Sequence, residues 1–239
     1  MANNLKEIIA KVEKREPLTH EEKKKYIAEY AITRNHTRKM FGMVSISTSC
    51  LCNTFCMARR KHDPEKSICP HCYSAAQLSK RKTNAVKFMR NYVFFTTYEL
   101  TEEDIPVINA TYFRFEAFGD VQNLLQVKNY YLIKRVNAKT IKHAAIWSKN
   151  PALIQAAGAK PKNLIYVYSN ERIDKPITMA DFEMLKKEFP VIDKVFSVFH
   201  KSFAEKEGVK INCGGRECIS CMRCYHNRKE DRIVNELLK

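Results

Sequence analysis

The chain has 239 residues, 45% hydrophobic and 28% charged, with 42 Lys and Arg against 26 Asp and Glu and a formal charge of +16. That length suffices for one large domain with a full core. No apolar run approaches the roughly 18 residues a membrane helix needs, so a membrane partner is not expected. The excess of cations favours polyanions, with nucleic acid or nucleotides foremost.

Residues 1–18 are charged throughout and lack the apolar stretch and cleavage site of a secretory signal, which makes the cytoplasm the expected compartment. Within them Leu5, Ile8, Ile9 and Val12 fall at helical spacing, and Leu18-Thr19-His20-Glu21-Glu22 reads as a cap opening a second, charged helix to about residue 30. These helices are expected as an outer amphipathic cover. They form an N-terminal extension, 1–40, to a single α/β domain, 41–239.

From 43 to 73 the helical period disappears, and the chain reads as a polar, cysteine-studded loop that ligation would order. A strand-helix core, 74–205, follows. It opens with a basic helix at 74–92, then alternates strands at 110–116, 143–148, 164–168 and 194–199 with helices at 121–136, 151–157 and 179–189. Such alternation predicts a mainly parallel sheet with helical crossovers. Four strands do not complete a barrel, so the fold expected is a partial, TIM-like barrel or an open curved sheet. A cysteine tail at 209–226 and a final charged helix at 228–238 close the chain.

Nine cysteines fall in two groups, Cys50, Cys52, Cys56, Cys69 and Cys72, then Cys213, Cys218, Cys221 and Cys224. A reducing cytosol and an odd count argue against disulfides and for metal ligation. Cys218, Cys221 and Cys224 are spaced C-x2-C-x2-C, the first three members of a ferredoxin-type run whose fourth ligand comes from elsewhere. Cys213, before Gly214-Gly215, or a remote N-terminal cysteine supplies it. Zinc is the rival, since Cys69-Pro-His-Cys72 and Cys218-Ile-Ser-Cys221 are each acceptable knuckles. The 141 positions between Cys72 and Cys213 speak against paired zinc knuckles, which usually lie close in sequence. The reading is therefore one or two iron-sulfur clusters of the 4Fe-4S type, held by Cys50, Cys56, Cys69, Cys72, Cys213, Cys218, Cys221 and Cys224. Either two four-cysteine clusters leave one thiol over, or one shared cluster leaves the extra cysteines as small buried hydrophobes.

In α/β sheets ligands bind beyond the carboxyl ends of the parallel strands. The predicted strand ends are polar. Arg114 is placed to clamp a carboxylate or phosphate, Glu116 and Asp120 to act as acid or base, and Trp147, Lys149, Asn170 and His200 to line a cofactor pocket. The basic segment 59–90, with Tyr73, Phe88 and Tyr92 nearby, predicts a nucleic-acid groove.

The order of these pieces resembles the gene-product-88-like domain family of bacteriophages and mobile elements. The matching pieces are a cysteine loop ending in Cys-Tyr (69–74), a basic helix (81–91), an Arg-containing strand running into Gly-Asp (114–120) and a cysteine-rich tail (213–225), so the likeness spans roughly 44–226. Glu116 stands where the family's Arg-x-His-x-x-Gly-Asp pattern has histidine, and Cys50 and Cys52 replace its usual Cys-Pro opening. The resemblance implies a phage or prophage origin, and hence a host-cytoplasm setting, and strengthens the cluster and fold readings without naming a reaction. Two functions follow. One is a cluster enzyme acting on a nucleotide or nucleic acid, similar in outline to radical S-adenosylmethionine proteins, although only Cys52-x3-Cys56 matches part of their C-x3-C-x2-C triad. The other is a binding module in which a cluster or zinc acts as a staple and the basic face holds nucleic acid or a host protein.

Overall fold

A computed structural model describes residues 4–35 and 38–238. Seven strands form one open sheet in chain order: β1 (Thr33–Arg34), β2 (Val44–Ile46), β3 (Ala110–Phe115), β4 (Ile141–Ser148), β5 (Leu164–Ser169), β6 (Lys194–Phe199) and β7 (Ile233–Leu237). β1 pairs antiparallel with β2, and every later pair is parallel. Sequential order with helical crossovers is the arrangement of a barrel segment that does not close, as the alternation predicts.

Among the described residues ten α-helices accompany the sheet: α1 (Leu5–Lys14), α2 (His20–Lys25), α3 (Thr54–Arg59), α4 (Tyr73–Lys80), α5 (Lys82–Thr97), α6 (Leu124–Val136), α7 (Pro151–Ala156), α8 (Met179–Glu188), α9 (Lys201–Lys206) and α10 (Cys218–Cys221). Among the described residues no helix is long and apolar enough to cross a membrane.

Strand alternation gives the sheet two different faces. Phe113, Phe115, Ile146 and Tyr166 point into the main core, where they meet Phe94 and Phe95 of α5, Tyr130 and Tyr131 of α6, and Phe182 of α8. The opposite face presents Tyr112, Ala145, Ile165, Val167, Phe196 and Val234 to the cysteine tail, which packs on it through Cys213, Cys218, Ile219, Met222 and Cys224. The tail thus covers the face that a closed barrel would bury against its own missing strands.

The N-terminal helices keep the amphipathic form expected, with one face on the core and the other exposed. Ile8 and Val12 of α1, and Tyr26, Ile27 and Ala31 of the π-helical turn that extends α2, are fully buried in the main core. Several elements differ from the sequence reading. Residues 33–34, before the boundary at residue 40, form the sheet's first strand. The expected basic helix is two, broken at Arg81, whose φ of −116° and ψ of 75° are not helical. The expected C-terminal helix is instead β7. Its Ile233, Val234 and Leu237 fit a helical stripe, but parallel pairing with β6 and burial of Val234 override that pattern.

The segment 43–73 is not an unstructured loop awaiting ligation. It contains β2 and α3, and hydrogen bonds fix the buried run Ser47-Thr48-Ser49-Cys50. Asn91 of α5 donates to the carbonyls of Ser47 at 3.0 Å and Ala31 at 3.1 Å. Ser47 Oγ accepts the Ala117 N–H at 3.1 Å. Asn53 caps α3 and donates to the Asp120 carbonyl at 2.7 Å, tying the loop to the end of β3.

Candidate functional site

At the carboxyl edge of β3–β7 lies a cavity of about 380 Å³, within the range of small-molecule sites. Its lining draws Cys50, Cys56, Cys69 and Cys72 from the head of the chain and Cys213, Cys218 and Cys224 from its tail. Cys221 and Cys52 are outside the lining.

The thiols form two neighbourhoods. In the head set Cys50, Cys56 and Cys72 pack in one buried cluster, and the Cys72 N–H donates to the Cys69 carbonyl at 3.2 Å. In the tail set Cys213 interacts with Cys218 and Cys221, and Cys224 with Cys213 and Cys218. Each set therefore has four members. The ninth thiol, Cys52, points instead to the Ser49 carbonyl at 3.5 Å.

Local structure explains both sets. α4 begins just after Cys72, so the Cys72 sulfur accepts the Ala75 N–H at 3.5 Å as the helix cap. The hydrogen bond from Cys50, aided by this cap and by Lys149, brings the Cys72 thiol down to about 6 against its burial. In the tail, α10 spaces Cys218 and Cys221 by three residues, one helical turn. Met222 then adopts a left-handed φ of 55°, and a 3-10 turn at Arg223–Tyr225 brings Cys224 round beneath the sheet face. Burial lifts the Cys224 thiol to about 12. Cys213 is fixed by its N–H to the Asn235 carbonyl at 3.0 Å, alongside β7.

Cations accompany both sets. Lys149 donates to Ser169 Oγ at 2.9 Å and draws the Cys56, Cys69 and Cys72 thiols toward their charged forms. Lys39 bonds Glu236, and its Nζ is 3.7 Å from Cys213 Sγ. Arg114 lies 4.2 Å over the Trp147 ring and favours the charged forms of Cys218 and Cys224. The Arg114 Nε and Trp147 Nε1 donors are buried without a hydrogen-bond partner. Orphaned donors beside thiols suit a sulfur-rich anionic guest. Among the described residues, no three His, Cys, Asp or Glu side chains are arranged to hold a single metal ion.

Glu116 and Asp120 line the cavity, but their oxygens serve the fold. Glu116 Oε2 accepts the Thr48 N–H at 3.1 Å and hydroxyl at 2.9 Å, and Oε1 accepts Gln126 Nε2 at 2.8 Å and the Tyr130 hydroxyl at 2.5 Å. Complete burial nonetheless raises its carboxyl to about 7. Asp120 accepts the N–H groups of Val121 at 2.8 Å and Lys149 at 2.9 Å, and burial raises it too. Both carboxyls thus brace the end of β3 from within the cavity lining. Asn170 and His200 lie outside the lining: Asn170 braces Ser197 and the Arg172 N–H, and His200 Nδ1 pairs with Asp174 at 2.6 Å. Trp147, Lys149 and Arg114 are in the cavity as the strand-end reading expects.

Of the aromatics in the expected groove, Phe88 is buried and Tyr92 half-buried, while Tyr73 is exposed at the cavity mouth. Sequence reasoning missed Lys39, whose only distinguishing feature is its approach to a cysteine 174 positions away. It also missed Phe55 and Phe118, which wall the head side. Comparison of the chain with family models, curated proteins and solved structures finds no match in any of the three.

Proposed function

We propose that the chain is an iron-sulfur protein whose head and tail cysteines each hold one 4Fe-4S cluster, on two sides of a cavity that receives a nucleotide or a nucleic-acid segment. The observation that carries this reading is the convergence on one cavity, at the carboxyl edge of the sheet, of Cys50, Cys56, Cys69 and Cys72 from the head and Cys213, Cys218 and Cys224 from the tail, with Cys221 one turn from Cys218. A single zinc needs thiolates at about 2.3 Å from one centre. The C-x2-C-x2-C run of Cys218, Cys221 and Cys224, with its third in-step cysteine, favours a cluster over zinc. Cys50, Cys56, Cys69 and Cys72 would hold one cluster, and Cys213, Cys218, Cys221 and Cys224 the other, with Cys52 left over. Such clusters supply one-electron chemistry or, where they do not turn over, a covalent staple for the fold. Lys39, Arg114 and Lys149 would balance thiolate charge, and Arg114 on Trp147 would orient a phosphate or a planar group at the strand ends.

The saturated hydrogen bonding of Glu116 and Asp120 favours a second reading, in which the clusters are staples and the cavity only binds. Incubation of reduced, anaerobic protein with S-adenosylmethionine and a nucleotide separates the two. A cleavage product of the methionine cofactor supports an enzyme like the radical family; tight, salt-sensitive binding without product supports the module. Protein lacking the broad absorbance near about 400 nm expected of thiolate-ligated clusters would sink both.

A further inference from the structure

The surface around the cavity mouth is basic and apolar together. Residues 73–98 contain five Lys and Arg and no acidic residue. Two of the five are engaged: Arg90 pairs with Glu13, and Lys87 donates to the Ile32 carbonyl at 2.9 Å. Lys80, Arg81 and Lys82 are exposed at the junction of α4 and α5, and Arg60 and Lys61 are exposed beyond the end of α3. Tyr73, at the start of α4 and in the cavity lining with Arg60, is 52% exposed, its ring 5.8 Å from Phe118. Met57, Val86 and Met89 are also exposed in this stretch.

We propose that this mouth binds single-stranded nucleic acid, with one base stacked on Tyr73 at the cavity entrance and the flanking phosphates along Arg60-Lys61 on one side and Lys80-Arg81-Lys82 on the other. The proposal rests on the nucleic-acid part of the reading above and names its substrate class. α4 rises about 10 Å between Tyr73 and Lys80, the reach of about three stacked nucleotides. An exposed aromatic gains by stacking only on a base whose face is free, and a duplex hides those faces. Arg114 on Trp147 offers a second planar cation-aromatic surface in the lining of the cavity behind Tyr73.

The test uses the anaerobic full chain, with iron and sulfide measured on every sample, and the fluorescence anisotropy of a short labelled oligothymidylate, alone or paired with oligoadenylate. The single strand is expected to bind at least about tenfold tighter than the duplex. Tyr73→Ala should weaken single-strand binding about tenfold and Tyr73→Phe should restore it. The triple variant Lys80→Gln, Arg81→Gln, Lys82→Gln should flatten the salt dependence. Duplex binding as tight as single-strand binding, or a Tyr73→Ala protein that binds like wild type, overturns the proposal. So does a preference for polyglutamate over oligothymidylate, which would assign the surface to an acidic protein. Samples with full iron and sulfide that bind no strand defeat this inference alone, whereas samples without iron defeat the cluster reading whatever they bind.

Discussion

The ammonium of Lys39 stands 3.7 Å from the Sγ of Cys213, 174 positions further along the chain, and also bonds the Glu236 carboxylate. Lys39 precedes β2, whereas Glu236 lies on β7 beside Cys213, so one side chain ties the start of the domain to the tail thiols across the open face. Glu236 holds Lys39 protonated despite its burial. Lys39→Gln removes a positive charge beside the tail set and leaves the Glu236 carboxylate there. The reduction potential of the tail cluster should fall, while that of the head cluster should stay unchanged, in an anaerobic titration followed by electron paramagnetic resonance.

Because the two sets are separate neighbourhoods, they should fail separately. Cys221→Ser and Cys72→Ser are each expected to lose about half the iron and sulfide, and the double variant nearly all of it. Soluble yield should fall in each, since ligation free energy is folding free energy at such sites. Iron analysis of each variant decides this, and loss of all iron from either single variant would point to one shared cluster.

Gly119 lies where the chain leaves β3. A Cβ there would come within 2.6 Å of the Thr48 carbonyl oxygen and of Glu116 Oε2. The carbonyl belongs to buried backbone and cannot move aside like a flexible tip. Gly119→Ala should therefore cost about 1–3 kcal/mol or more, read as a lower denaturation midpoint.

Glu116 gives the fold a pH dependence. Its carboxyl is at about 7 in the folded chain and near the ordinary 4.5 when unfolded, so the folded state binds more protons between those values. Stability should be greatest below about pH 4.5 as far as this group is concerned, fall as pH rises toward 7, and level off above that. The full penalty is of the order of 3 kcal/mol. Denaturation midpoints of wild type and Glu116→Gln at a series of pH values check this: the decline should be present in the first and absent from the second.

The sequence carried the central fold well. Strict alternation of apolar strands with helical segments gave β3 to β6 and their parallel pairing, because strands buried on both faces and amphipathic crossovers leave unmistakable periods. The cysteine spacing likewise marked the tail turn. What stayed hidden depended on distant partners. β7 carries a stripe that suits a helix, and only the open edge of β6 makes it a strand. β2 is three residues long and could not stand out from its polar surroundings. Sequence also could not show that Thr48, Gln126 and Tyr130 occupy both oxygens of Glu116. Lys39 had no local signal at all.

The most direct measurement is the iron, acid-labile sulfide and zinc content of anaerobically purified protein. Two clusters require about eight iron and eight sulfide per chain and negligible zinc. Stoichiometric zinc without sulfide, or a chain folded with neither, would contradict the assignment of the two cysteine sets.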